Sequence, residues 1–228
     1  MTLPRPPRAV VFDMDGLLFD TEALYRDAVR AAAAEHGHDL PLELYHRTIG
    51  LPHEPTRELL TAHFGAGFDF ERLWAASAAR FREMAAAQRY LKTGAEELLD
   101  ALDAVGLKRA IATSSSHASV QRNLTHHDMV ERFHAIVANG DYARGKPNPD
   151  PFLAAAERLG VAPADCLALE DSYNGIRAAS AAGMMTIMVP DLLDPTEEMQ
   201  GLCLRIARDL HEVRELLELQ AEVARRRT

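Results

Sequence analysis

The chain has 228 residues, enough for one large domain or for a core carrying a smaller second one. With 47% hydrophobic and 26% charged residues it has the makings of a real core, and with a formal net charge of −9 no basic surface for nucleic acid or an anionic membrane is expected. No run is apolar enough to cross a bilayer, Met1–Arg8 lacks a signal core, and Cys166 and Cys203 form no C-x-x-C pair, so the sequence reads as a cytoplasmic protein with core-filling thiols.

Ala9-Val10-Val11-Phe12 is a short apolar run of β type that ends abruptly in Asp13-Met14-Asp15-Gly16. From Thr21 to about Gln88 only helical patterns occur. Glu22–Glu35 is Ala-rich and amphipathic with Gly37 as its stop. Pro41, Gly50-Leu51-Pro52 and Gly65-Ala66-Gly67 punctuate the middle, and Phe70–Ala87 reads as a long helix. Thr93-Gly94-Ala95-Glu96 has the pattern of a capping box, followed by Leu98, Leu99, Leu102 and Val105 on one helical face and Gly106 as the stop.

Arg109–Thr113 is the second apolar run and Ala135–Ala138 the third. Asn148-Pro149 starts a helix with Phe152, Leu153, Ala156 and Leu159 on its apolar face and Gly160 closing it. Leu167–Leu169 is the fourth run; Ser172 then caps a helix through Ile176 and Ala179 towards Gly183. Met185–Val189 is the fifth, and Asp209–Arg227 a final helix with a solvated basic end, Arg225-Arg226-Arg227. Continuous apolar runs suit strands buried on both faces of a parallel sheet, and their alternation with helices implies a doubly wound α/β core. The helical stretch reads as an all-helical cap inserted after the first strand, with core 1–20 and 90–228, cap 21–89, and hinges near Asp20–Thr21 and Tyr90–Thr93.

Ligands of open α/β sheets bind beyond the carboxyl ends of the strands. Those ends collect Asp13 and Asp15, Ser114-Ser115-Ser116, Lys146, and Glu170-Asp171. Asp13 and Asp15 are two apart, so in an extended chain both point the same way. Close carboxylates repel unless a cation or a shared proton relieves them, and hard oxygen donors of this kind suit Mg²⁺. Lys146 and the amides around Ser114 would hold further phosphate oxygens. An acidic pair alone would be a helix cap or turn former; four sites converging point to phosphoryl chemistry. One aspartate would attack phosphorus and the other would shuttle the proton, with spacing alone leaving their order open.

Asp13-Met14-Asp15-Gly16-Leu17-Leu18-Phe19-Asp20-Thr21 resembles the first motif of the haloacid dehalogenase superfamily, in its β-phosphoglucomutase-like branch. Ala112–Ser116, Gly145–Asp150 and Leu169–Gly175 resemble the later motifs in order, so the resemblance spans nearly the whole chain. It implies a Rossmann-like core with a helical cap that closes over the substrate. Asp13 is implied as nucleophile and Asp15 as acid/base; Ser114, Ser115 and Lys146 as phosphate binders; and Asp13, the Asp15 carbonyl and Asp171, with Glu170 adjacent, as Mg²⁺ ligands. The reading is a phosphatase for a small phosphorylated metabolite of the sugar or polyol class, without nucleic-acid or membrane partners; no sequence feature sets an oligomeric state.

The sugar-phosphate mutases of that branch resemble it in motif but carry a histidine and an arginine where this chain has Tyr25 and His53, which disfavours mutase chemistry. Asp15 argues against carbon–halogen cleavage, since the dehalogenases lack it. Gly140–Lys146 fits seven positions of a P-loop, but Pro147 offers neither hydroxyl nor N–H at the eighth. A phospho-receiver module, the non-enzyme alternative, would need its acceptor in mid-chain. A calcium loop fails at Leu18 and Leu24, and Gly65-Ala66-Gly67 is no dinucleotide fingerprint, with Phe70 at the third glycine position. His126-His127 and His36–His38 read as surface or turn histidines, and Trp74 and Met184-Met185 as core filling.

Overall fold

The computed structural model describes residues 3–49, 51–65 and 67–225. Gly50 and Ala66 of the predicted turns, and Arg226 and Arg227 of the predicted basic end, lie outside the described residues. The chain divides into two units, one of Met1–Asp20 with Leu91–Thr228 and one of Thr21–Tyr90.

The first unit is built on six parallel strands, β1 (Ala9–Phe12), β2 (Lys108–Ser116), β3 (Ala135–Asn139), β4 (Cys166–Glu170), β5 (Met185–Met188) and β6 (Arg205–Ile206), in the order β3-β2-β1-β4-β5-β6. Val11 is registered with Ala110 on one side and Ala168 on the other, so β1 is central. All four residues of β1 and all five of β4 are buried, which is why their sequences are apolar without alternation. On one face Val11, Ala112, Val137 and Ala168 pack with Phe152 and Leu159. Full burial of a side chain such as Phe152 contributes about 1.5–3 kcal/mol.

The helices of the second unit are α1 (Thr21–Glu35), α2 (Leu42–His46), α3 (His53–Phe64) and α4 (Phe70–Ala87). Val29, Ala33, Leu40, Tyr45, Leu60 and Leu73 form its own core. Asp69 caps α4, its carboxylate accepting the Arg72 N–H at 3.0 Å, and Tyr25 meets Phe81 edge-on at 5.9 Å. His53 stands edge-on to Phe70 and Trp74 and 3.4 Å from Glu71. Trp74 is 41% exposed, not core filling as its sequence context predicts.

The remaining helices belong to the first unit: α5 (Ala95–Ala104), α6 (His117–His126), α7 (Asp150–Leu159), α8 (Tyr173–Ala181), α9 (Glu197–Leu202) and α10 (Leu210–Arg225). Two expectations change here. The Thr93 cap does not form: Gly94 occupies the cap position at φ +86, because a Cβ there would fall 2.4 Å from the backbone nitrogen of His211. Val105 and Leu153 are exposed, since α5 ends at Val105 and the buried stripe of α7 is Phe152, Ala155, Ala156 and Leu159. His127 sits in the turn that ends α6, one of its two expected settings, and is buried there, stacked on Phe19 with ring centroids 4.9 Å apart. No helix among the described residues is long and apolar enough to cross a membrane.

Candidate active site

The strand order reverses at β1, with β2 on one side and β4 on the other, and the crevice beyond their carboxyl ends is where a parallel sheet of this kind takes its ligands. Asp13 follows β1 directly. Its N–H donates to the Leu169 carbonyl at 3.0 Å, which holds it beside the end of β4. Glu170 closes β4 and is wholly buried.

Lys146 arrives on the loop before α7. Its ammonium donates to Asp13 Oδ1 and, at 2.5 Å, to Glu170 Oε1. The second oxygen of Glu170 accepts the N–H groups of Asp171 and Ser172 and the Ser172 hydroxyl, each at 3.0 Å. Ser172 Oγ in turn accepts the Gly175 N–H at 3.1 Å and so caps α8. The turn after β4 is thereby folded around the last side chain of its own strand.

Asp13, Glu170 and Asp171 each offer an oxygen, all within 4.8 Å of one another. Three carboxylates there face one ammonium. Burial, the largest cause, raises Asp13 to about 7 against the lowering by Lys146, with Glu170 and Asp15 adding repulsion. Burial and then Glu170 and Asp13 push Asp171 well above the usual carboxylate range. Burial opposes the charge on Lys146, but Asp13 and Glu170 outweigh it and hold its pKa above that of an ordinary lysine. A divalent cation would make up the missing positive charge, and an all-oxygen donor set fits Mg²⁺.

Asp15 takes a different partner. Its Oδ2 accepts the Ser115 hydroxyl at 2.7 Å, while Gly16, at φ +83, turns the chain away from the strand. Ser115 is itself placed by its N–H, which donates to Thr113 Oγ1 at 3.0 Å. Ser114 lines a cleft with Lys146, Ser172, Tyr173 and Asn174, and Ser116 caps α6 through the Ser119 N–H at 3.3 Å. The structure thus gathers Asp13, Lys146, Glu170 and Asp171 in one cluster, pairs Asp15 with Ser115, and sets Ser114 beside Lys146.

Sequence reasoning missed several supporting residues. Tyr142 donates its hydroxyl to the Thr113 carbonyl at 3.1 Å, Gly175 lies under Glu170, and Lys92 reaches Asp191 at 2.7 Å. Only Gly175 left a sequence signal, as the closing glycine of the last motif.

The family model for haloacid dehalogenase-like hydrolases matches residues 7–183. A probable pseudouridine-5'-phosphatase of Drosophila melanogaster is 38% identical over 187 residues, covering 79% of this chain and 80% of that protein. Hexitol phosphatase B of Escherichia coli K12 is 34% identical over 193 residues, covering 83% of this chain and 86% of its own. Among solved structures, a HAD family hydrolase from Deinococcus radiodurans R1 with bound phosphate and sodium matches with a TM-score of 0.81 at 28% identity, covering 95% of this chain and 97% of that one.

Proposed function

The chain belongs to the haloacid dehalogenase-like hydrolases, and from that premise we propose that it hydrolyses the phosphomonoester of a small sugar or polyol through an acyl phosphate on Asp13. The observation that carries this reading is the Lys146 ammonium set between Asp13 and Glu170 with the Asp171 carboxylate alongside.

Asp13 is the nucleophile: a carboxylate oxygen attacks phosphorus as the bond to the leaving alcohol breaks. Lys146 and Ser114 hold phosphate oxygens, and Lys146 bridges Asp13 to Glu170. Asp15, steadied by Ser115, gives its proton to the departing alkoxide and then takes one from the water that cleaves the acyl phosphate. Asp13, Asp171 and the Asp15 carbonyl would hold Mg²⁺, with Glu170 adjacent, and the ion would offset the charge of the transferring phosphoryl group. The helical unit Thr21–Tyr90 is our candidate for the cap, and Tyr25 and His53 for the side chains that choose the alcohol.

Phosphate release from a panel of sugar, polyol and nucleoside monophosphates, with and without Mg²⁺, tests the proposal. Mg²⁺-dependent turnover of at least one sugar or polyol ester is expected. Autophosphorylation without release of phosphate would instead mark a receiver module and end the hydrolase assignment.

A further inference from the structure

Asp191 lies three residues beyond the end of β5, on the loop that follows it, and no motif of the chain includes it. Its side chain is only 9% exposed. Oδ1 accepts the Lys92 ammonium at 2.7 Å, and Lys92 also stands 3.6 Å from Asp20. Oδ2 is buried without a hydrogen-bond partner among the described residues. A buried carboxylate oxygen lacking a donor is destabilising, so Oδ2 needs a donor from water or from something bound beside it.

The direction of Oδ2 identifies the donor. A Cβ built on Gly16 would fall 3.3 Å from Asp191 Oδ2 and 2.4 Å from Asp171 Oδ2, so both oxygens border the same small space over the Gly16 backbone. Gly16 directly follows Asp15. Two carboxylate oxygens turned towards one space repel, and the Asp191 charge adds to the upward push on Asp171. Lys92 neutralises Asp191 from the far side and places no donor on Oδ2. A magnesium ion keeps several of its waters, and each carries O–H donors made stronger by the ion.

We propose that Asp191 is a positioning residue of the metal site: Oδ2 accepts a hydrogen bond from a Mg²⁺-bound water, while Lys92 anchors the carboxylate through Oδ1. This rests on the Mg²⁺ phosphatase reading above and extends it to a carboxylate outside the motifs. It also links the site to Lys92 and Asp20, which flank the points where the chain leaves and re-enters the first unit.

Calorimetric titration of Mg²⁺ into the full chain, native and Asp191→Asn, tests it. The amide keeps the shape and an oxygen for Lys92 but turns N–H groups towards the waters, and Mg²⁺ affinity is expected to fall about tenfold or more. Losing the charged partner of Lys92 should lower the metal-free melting temperature by a few degrees in either case, and a merely structural role would do only that and leave the Mg²⁺ affinity unchanged. Equal affinity in the two proteins overturns the role of Asp191 and leaves the metal site standing. A native chain that takes no Mg²⁺ overturns both. Should Asp191→Asn not fold, crystals of the native chain with Mg²⁺ decide: an ion-bound water within about 3.2 Å of Oδ2 is expected, and an ion whose waters all contact other groups overturns the proposal.

Discussion

Glu170 lies against the bare backbone of Gly175, where a Cβ would fall 1.7 Å from Oε1 and 1.8 Å from the carboxyl carbon. Gly175 is the third residue of α8, and in an unencumbered helix Gly→Ala would stabilise by about 1 kcal/mol. Here the methyl would drive the carboxylate off Lys146 and off the Asp171 and Ser172 amides. Gly175→Ala is therefore expected to lower the melting temperature instead of raising it. Misplacing Lys146 and Asp13 should also cut kcat/KM about a hundredfold. A variant as active as the native chain, and more stable, would show that Glu170 has room to move.

Asp13 and Asp15 should separate kinetically. Asp13→Asn removes the anionic oxygen proposed to attack phosphorus, and no turnover is expected. Asp15→Asn leaves that oxygen but removes the proton carrier, so kcat should fall about 10²–10⁴-fold on an alkyl phosphate. With an aryl phosphate, whose leaving group needs no proton, the first step should survive and the second stall. A burst of aryl alcohol with acid-stable, hydroxylamine-labile phosphate on the protein is the expected signature. Steady release without a burst would remove Asp15 from the hydrolytic step.

Lys146 tests the charge balance. Its side chain is 6% exposed, and it is the hydrogen-bonding cation of both Asp13 and Glu170. Breaking a buried pair by deleting one partner costs about 3–5 kcal/mol, because the other charge stays buried. Lys146→Met should accordingly lower the metal-free melting temperature by about 6 °C or more. Added Mg²⁺ should return part of that loss, since it supplies positive charge to the same carboxylates. An unchanged melting curve would mean that Asp13 and Glu170 find other partners.

The central strands and the ends that carry Asp13, Ser114 and Glu170 were legible in the sequence because burial on both faces leaves an uninterrupted apolar run. β6 was not, since its two residues, Arg205 and Ile206, are only partly buried and leave no pattern. The Thr93 capping pattern misled because a close tertiary approach, Gly94 against His211, outranks a local hydrogen bond. The same reason hid the supporting shell of the site. Asp191 and Lys92 are 99 residues apart and meet only in the fold, and Gly175 is marked locally only as the glycine that closes the last motif. The residues proposed to react stand out by type and strand position, whereas those that place them depend on distances no spacing encodes.

Glu212 offers a pH test remote from the chemistry. At the start of α10 its Oε2 accepts the Arg208 N–H at 3.1 Å, its Oε1 accepts Arg205 Nε at 2.8 Å, and its own N–H donates to Asp209 Oδ1 at 3.0 Å. The Arg208 N–H first, and Arg205 next, hold its carboxyl down at about 2. A carboxylate depressed in the fold stabilises above its unfolded pKa of about 4.3 and loses that contribution as pH falls through its folded value. Glu212→Gln keeps the shape but not the charge, and at pH 7 should melt about 2–4 °C lower, as expected for ~1 kcal/mol in a chain of this size. The active-site carboxylates titrate in both proteins alike, so the difference between the two melting curves isolates Glu212. That difference should shrink steadily from about pH 4.5 towards pH 2. A gap that stays constant over this range would mean that Glu212 acts through packing and that its charge contributes nothing.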